Sequence, residues 1–126
     1  MQELELRGYV RAINDFVYNP IVDFKKGKFD TGIREYNGRA TGIVMEDIEY
    51  LQLYINEKDK NNSKLYKDDL VLYRNRTYQI VYKEGAFMLK DAFSKCSEYL
   101  KHEYTFWSKV EKIGNIYQNK DLLEQS

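Results

Sequence analysis

The sequence predicts a mainly β (α+β) fold, and three observations carry that prediction. Twelve tyrosines stand against a single proline in 126 residues, a balance that suits pleated surfaces on which rings pack and hydroxyls reach the edge. Leu4, Leu6, Gly8 and Val10 alternate with Glu3, Glu5, Arg7 and Arg11, close to the period of two of a half-buried strand. Three short apolar runs, 70–73, 78–82 and 86–89, are separated by "RNRT" and "KEG" and read as a β-meander.

Taken in order, the first strand covers residues 4–10. "INDFVYNPIVDF" resumes the apolar pattern and is broken by Asn19-Pro20, a turn dipeptide whose proline cannot donate to a ladder, so a hairpin or edge strand is expected. Residues 25–42 carry four glycines among many charges and read as the most loop-like region. In 43–55, Val44, Ile48, Leu51 and Ile55 fit a helical stripe while 50–55 equally fits a strand; periodicity leaves both open. The polar run 56–64 is a surface loop or hairpin tip.

In the meander, Tyr78, Ile80 and Tyr82 share one face, and Gly85 supplies the positive φ of a tight connection. "DAFSKCSEYL" spaces Ala92, Phe93, Cys96 and Leu100 on one face of a short helix near 91–100 that Asp91 would cap. A last strand runs through "YTFWSKVEKIGNIY", with Gly114 marking a bulge. Asn119 then caps a short C-terminal helical turn, "KDLLE", whose Leu122 and Leu123 fold back as a latch. The predicted organisation is one domain, 1–126, with an N-terminal strand and loop region over 1–63 and the barrel meander with its latch over 64–126.

Three stretches of this chain, "KDKNNSKLYKDDLV", "YQIVYKEGAFML" and "IGNIYQNKDLLE", are similar in order and spacing to the three signatures of the YopX-like family encoded by phages and prophages. "LRGY" near the start resembles its opening segment. Asn62 and Asp68 stand where the family has glycine, and Lys120 where it has proline; Asn and Asp accept left-handed backbone better than other side chains, and Lys is acceptable in a first helical position. The resemblance implies an SH3-like small β-barrel with additional N-terminal strands, and it offers no functional residues to carry over.

Charge and motifs bound the function. Twenty Lys plus Arg balance twenty Asp plus Glu, so no net field draws the chain onto phosphate backbones or anionic lipid. The opening residues lack a basic start followed by an apolar core, and Cys96 is the only cysteine; both point to the host bacterial cytoplasm and away from a membrane. Asp59, Asn61 and Ser63 mimic the first ligands of a calcium loop, but Lys64 replaces its glycine and Leu70 its bidentate glutamate, which leaves a solvated turn. Asp68-Asp69 and Glu46-Asp47-Glu49 read as turn chemistry and a charged exposed face, since no histidine accompanies them. His102 is the single histidine, too few soft ligands for zinc, and it forms no nucleophile arrangement with Cys96. The expectation is no catalytic residue, cofactor or metal, hence not an enzyme.

One constellation suggests contact. Tyr73, Arg74, Arg76, Tyr78 and Lys83 interleave basic and aromatic groups on one hairpin, where single strands of nucleic acid could stack on rings. The competing reading is that the tyrosines pack the barrel and the cations guard a sheet edge. A non-catalytic module that binds a host or phage protein is the favoured reading, a nucleic-acid-binding barrel the alternative and an uncharacterised hydrolase the third; strand edges also leave homo-oligomers open.

Overall fold

Local turn chemistry builds most of this chain. A computed structural model describes residues 4–92, 99–101 and 107–124 and shows a mainly β protein with curled antiparallel sheets, as a small β-barrel requires. It divides into two compact units, Leu4–Leu53 and the residues from Tyr54 onward.

In the first unit, β1 (Leu6–Val10) pairs antiparallel with β2 (Asp15–Tyr18), and Asn19 ties the open end of the hairpin by accepting the Leu6 N–H on its side chain at 2.9 Å. Beyond Pro20, β3 (Val22–Asp23) and β4 (Lys28–Asp30) pair with each other, β5 (Glu35–Tyr36) pairs with β6 (Arg39–Ala40), and β7 (Met45–Asp47) pairs with β4. The glycine-rich stretch is therefore not a plain loop. Asn37 and Gly38 both have positive φ, the backbone that two-residue hairpins need, and this places strands on either side.

A 3-10 turn over Ile48–Tyr50 leads into β8 (Leu51–Lys58), so the ambiguous segment 43–55 is strand, turn and strand. Residues 51–53 pair with β1. Phe29 is fully buried, and a Cβ on Gly8 would lie 2.5 Å from its ring; the glycine of "LRGY" leaves room for an aromatic packed on β1. Arg7, expected on the polar face, is buried instead. Its Nε donates to Gln52 Oε1, its cross-strand neighbour, and its guanidinium lies 4.2 Å over the Phe16 ring.

The second unit is the meander. The end of β8 pairs with β9 (Lys64–Tyr66); β10 (Asp69–Tyr73), β11 (Arg76–Lys83) and β12 (Ala86–Asp91) follow in register, and β13 (Tyr99–Lys101) extends the sheet. A 3-10 turn over Trp107–Lys109 precedes β14 (Glu111–Asn115), which closes on β10, giving the order β13-β12-β11-β10-β14. Arg74-Asn75 and Glu84-Gly85 make the two connections with positive φ at both residues, matching the twist of the flanking strands. Ile55, Leu65, Val71, Ile80, Leu89 and Val110 fill the core together with Tyr73, Tyr78 and Trp107.

Asp91 ends a strand and Tyr99–Lys101 begins another, so the ends of the predicted helix are extended; its middle, Cys96 included, lies outside the described residues, as does His102. The bulge falls beside Gly114: Leu70 faces Gly114 and Val71 faces Lys112, which leaves Ile113 as the extra residue. α1 (Lys120–Glu124) follows, with Lys120 in its first position and Leu122 half-buried; the side chain of Leu123 lies outside the described residues.

Candidate functional site

The hairpin from 73 to 83 splits its five predicted contact residues. Tyr73 faces Arg76 across the tip, Arg74 and Asn75 form the turn, and the Arg74 guanidinium sits 5.1 Å over the Tyr73 ring. Arg76 Nη1 pairs with Asp91 Oδ2 at 3.3 Å. Tyr73 and Tyr78 are only 9% and 7% exposed, and their rings meet 6.4 Å apart within the core. They are packing residues, and their faces are not offered to bases. Lys83 stands at the other end of β11, opposite Ala86, seven residues and roughly 23 Å of extended strand from Arg76. The tip thus gathers two arginines, while the aromatic half of the motif turns inward and Lys83 stands apart.

The carboxylates that resembled ligand sets are internal ties. Asp59, read as part of a solvated turn, is buried: its Oδ1 accepts the N–H groups of Asn61 and Ser63 at 2.9 and 2.8 Å, and its Oδ2 accepts that of Lys112 at 2.8 Å. Asn61 and Ser63 therefore turn backbone donors inward, the reverse of a cation site. Asp69 is 0% exposed; it accepts the Tyr66 N–H at 2.8 Å and lies 3.4 Å from Lys112 Nζ. Asp68 accepts the Gln79 amide at 2.9 Å and pairs with Lys67 at 3.2 Å. Among the described residues, no three side chains of the metal-binding types converge on one point.

The acidic run of the first unit is likewise paired. Glu46 is buried and takes Arg11 Nη2 at 2.7 Å, and Asp47 takes Lys28 Nζ at 2.8 Å. Burial pushes the Glu46 carboxyl up, but the Arg11 side chain, the N–H groups of Arg11 and Asp47 and the Arg11 charge together hold it below the usual range. Asp47 is lowered by the Lys28 hydrogen bond and charge. Asp30 is brought down to about 2, chiefly by the Arg34 side chain and then by the Gly32 N–H.

What composition and motif did not single out is apolar surface on the first unit. Of the eight large apolar side chains that stand exposed among the described residues, only Tyr82 belongs to the second unit; the other seven fall within 4–53. Ala12, Ile33, Thr41 and Val44 line a cleft of about 210 Å³, and the exposed Ile13 and Ile43 are the chain neighbours of Ala12 and Val44. A signal did exist: Ile13, Ile21, Phe24 and Ile43 all lie within or beside turns, close to Asn, Pro or Gly, where the chain runs over the surface.

Among the described residues no helix is long and apolar enough to cross a membrane. A family model described as "YopX protein" matches residues 6–124. The fold is similar to the crystal structure of protein EF1440 from Enterococcus faecalis, with a TM-score of 0.62 and 18% identity over 98% of this chain and 100% of that one. No curated protein matches.

Proposed function

Since the chain belongs to the YopX protein family, we propose that it is a phage or prophage accessory protein of the host cytoplasm that acts by holding another protein, without catalysis. The observation that carries this reading is the apolar cleft of the first unit, with exposed Ile13 and Ile43 beside its lining residues. Exposed apolar side chains of this kind gain free energy only when a partner covers them, and small open clefts accept anchoring side chains. A supporting observation is that Glu46, Asp59, Asp68 and Asp69 are occupied as hydrogen-bond acceptors, roles that leave them poorly placed for acid-base work.

The test is affinity capture of the full chain from lysogenic cells, comparing the native sequence with Ile43→Asp. A protein retained at high salt by the native chain and lost with the variant is the expected result. Nucleic acid is the competing reading, supported by the exposed Arg74 and Arg76 at one hairpin tip. Recovery of DNA or RNA whose binding falls steeply with salt and weakens when both arginines become alanine would replace the protein reading with that one.

A further inference from the structure

The connection between β3 and β4 is a short turn over residues 24–27. Asp23 Oδ1 accepts the N–H groups of both Lys25 and Lys26, at 3.1 and 3.2 Å, and Gly27 turns the chain with a φ of 66°. The turn thus satisfies its own backbone and needs no partner to hold its shape. On this self-supporting frame Phe24 is 78% exposed, as is Ile21 at the entry to β3. Lys25 and Lys26 are exposed, and neither pairs with a carboxylate among the described residues; the next cation, Lys28, is taken by Asp47. An aromatic ring and two ammonium groups without a carboxylate partner among the described residues are therefore presented on one short turn, with an exposed aliphatic side chain at the start of the strand that leads into it.

We infer that this tip is an anchor for the protein partner, and that the partner surface it fits is an apolar pocket for Phe24 rimmed by Asp or Glu side chains facing Lys25 and Lys26. The inference rests on the protein-binding reading and adds the chemistry of the surface bound. Its scale selects a protein. Single-stranded nucleic acid is tracked by successive rings along a basic groove; one ring does not make such a platform, and Ile21 offers a base nothing to stack on. Anionic bilayers recruit clusters of about four to eight basic residues, whereas this turn carries two, with Asp23 beside them. A single aromatic anchor with flanking charges is instead the usual size of a binding hot spot, where the ring fills a desolvated pocket and the rim charges set register and association rate.

Two crosslinking chemistries applied to the full chain in host cells and extracts test this. p-Benzoylphenylalanine at position 24 reports what surrounds the ring, and a carbodiimide couples Lys25 or Lys26 only to carboxylates in contact. The expected result is that both reagents mark the same protein, the first on apolar residues and the second on Asp or Glu nearby. Phe24→Ala should cut the carbodiimide yield on the order of tenfold, and Lys25→Glu with Lys26→Glu should abolish it while thermal unfolding stays unchanged. Labelling of lipid or nucleic acid in place of protein, or marks on unrelated proteins, would overturn the inference. So would a partner that depends on Ile43 yet carries no mark from the tip; that outcome would leave the protein-binding reading standing.

Discussion

The carboxylate of Asp59 accepts the backbone N–H of Lys112 at 2.8 Å across a separation of 53 residues, while its other oxygen gathers the N–H groups of Asn61 and Ser63. One side chain thereby shapes the turn between β8 and β9 and ties it to β14. The Lys60 N–H bonded to Val110 O at 3.0 Å lies beside it. Replacing Asp59 by Ala leaves three donors without this acceptor; Asn61 and Ser63 are exposed, so water reaches their N–H groups, and the expected loss is about 1 to 3 kcal/mol. Asp59→Asn keeps one carbonyl oxygen and should lose roughly half as much. Denaturant unfolding of the two variants measures both; equal losses would contradict the division of labour between the two oxygens.

Gly114 and Asn119 are coupled by space. A Cβ at 114 would overlap the Asn119 amide, whose Oδ1 accepts the Asn115 N–H at 3.1 Å. Asn119 occupies the predicted cap position but uses its side chain to hold the turn behind it, where Asn115 in turn accepts the N–H groups of Tyr117 and Gln118 at 3.0 and 2.9 Å. Gly114→Ala should cost about 1 to 3 kcal/mol as an overpacking change. The same substitution made in an Asn119→Ala background should cost clearly less, so a double-mutant cycle will show coupling of about 1 kcal/mol or more.

Asn62 and Asp68, both at glycine positions of the family pattern, have φ of 66° and 71°. The left-handed backbone is common to both; the side-chain roles are not. Asn62→Gly should change stability by less than about 0.5 kcal/mol, and Asn62→Ala should lose about 1 kcal/mol because alanine lacks the side-chain amide that eases left-handed backbone. Asp68→Gly removes a buried carboxylate that receives Gln79 and Lys67, and should cost about 2 to 3 kcal/mol despite the easier backbone. Thermal unfolding of the three variants decides whether conformation or hydrogen bonding dominates at each site.

Acid should unfold the first unit through its paired carboxylates. Asp30, Glu46 and Asp47 all titrate lower in the folded chain than in the unfolded one, Asp30 at about 2 against an ordinary 3.8. Below the unfolded value the unfolded chain binds more protons, so stability falls as pH drops. The contribution is complete above about pH 5 and is lost as pH falls from there toward 2. Following the melting temperature over this range, Glu46→Gln should flatten the acid limb.

How far the residues alone could be read depends on the range of the interaction involved. Turns were legible: Gly85 has positive φ, the bulge sits beside Gly114, and Lys120 opens the last helix, because each is a steric demand met within a few residues. The meander was legible for the same reason, its hairpins being closed by two-residue connections. Charge misled. Arg7, Glu46, Asp59 and Asp69 looked solvent-facing, and all four are buried, since each has a partner distant in sequence that helps to replace its hydration. Gln52 is 45 residues from Arg7 and Arg11 is 35 from Glu46, separations that no local pattern encodes.

The candidate sites divide along the same line. That Tyr73 and Tyr78 alternate with arginines is a property of the chain; that their rings turn inward follows from the core assembled by Leu89, Trp107 and Val110, residues far along the chain. The apolar side chains beside Asn19-Pro20 and Gly27 or Gly42 were in plain view, yet exposure is a property of the folded surface and exists only once strands have paired around them. Local sterics and hydrogen-bonding capacity thus set the turns and strand periods of this protein. Burial of its charges and exposure of its contact surfaces came from long-range packing, because desolvation depends on every neighbour a side chain acquires on folding.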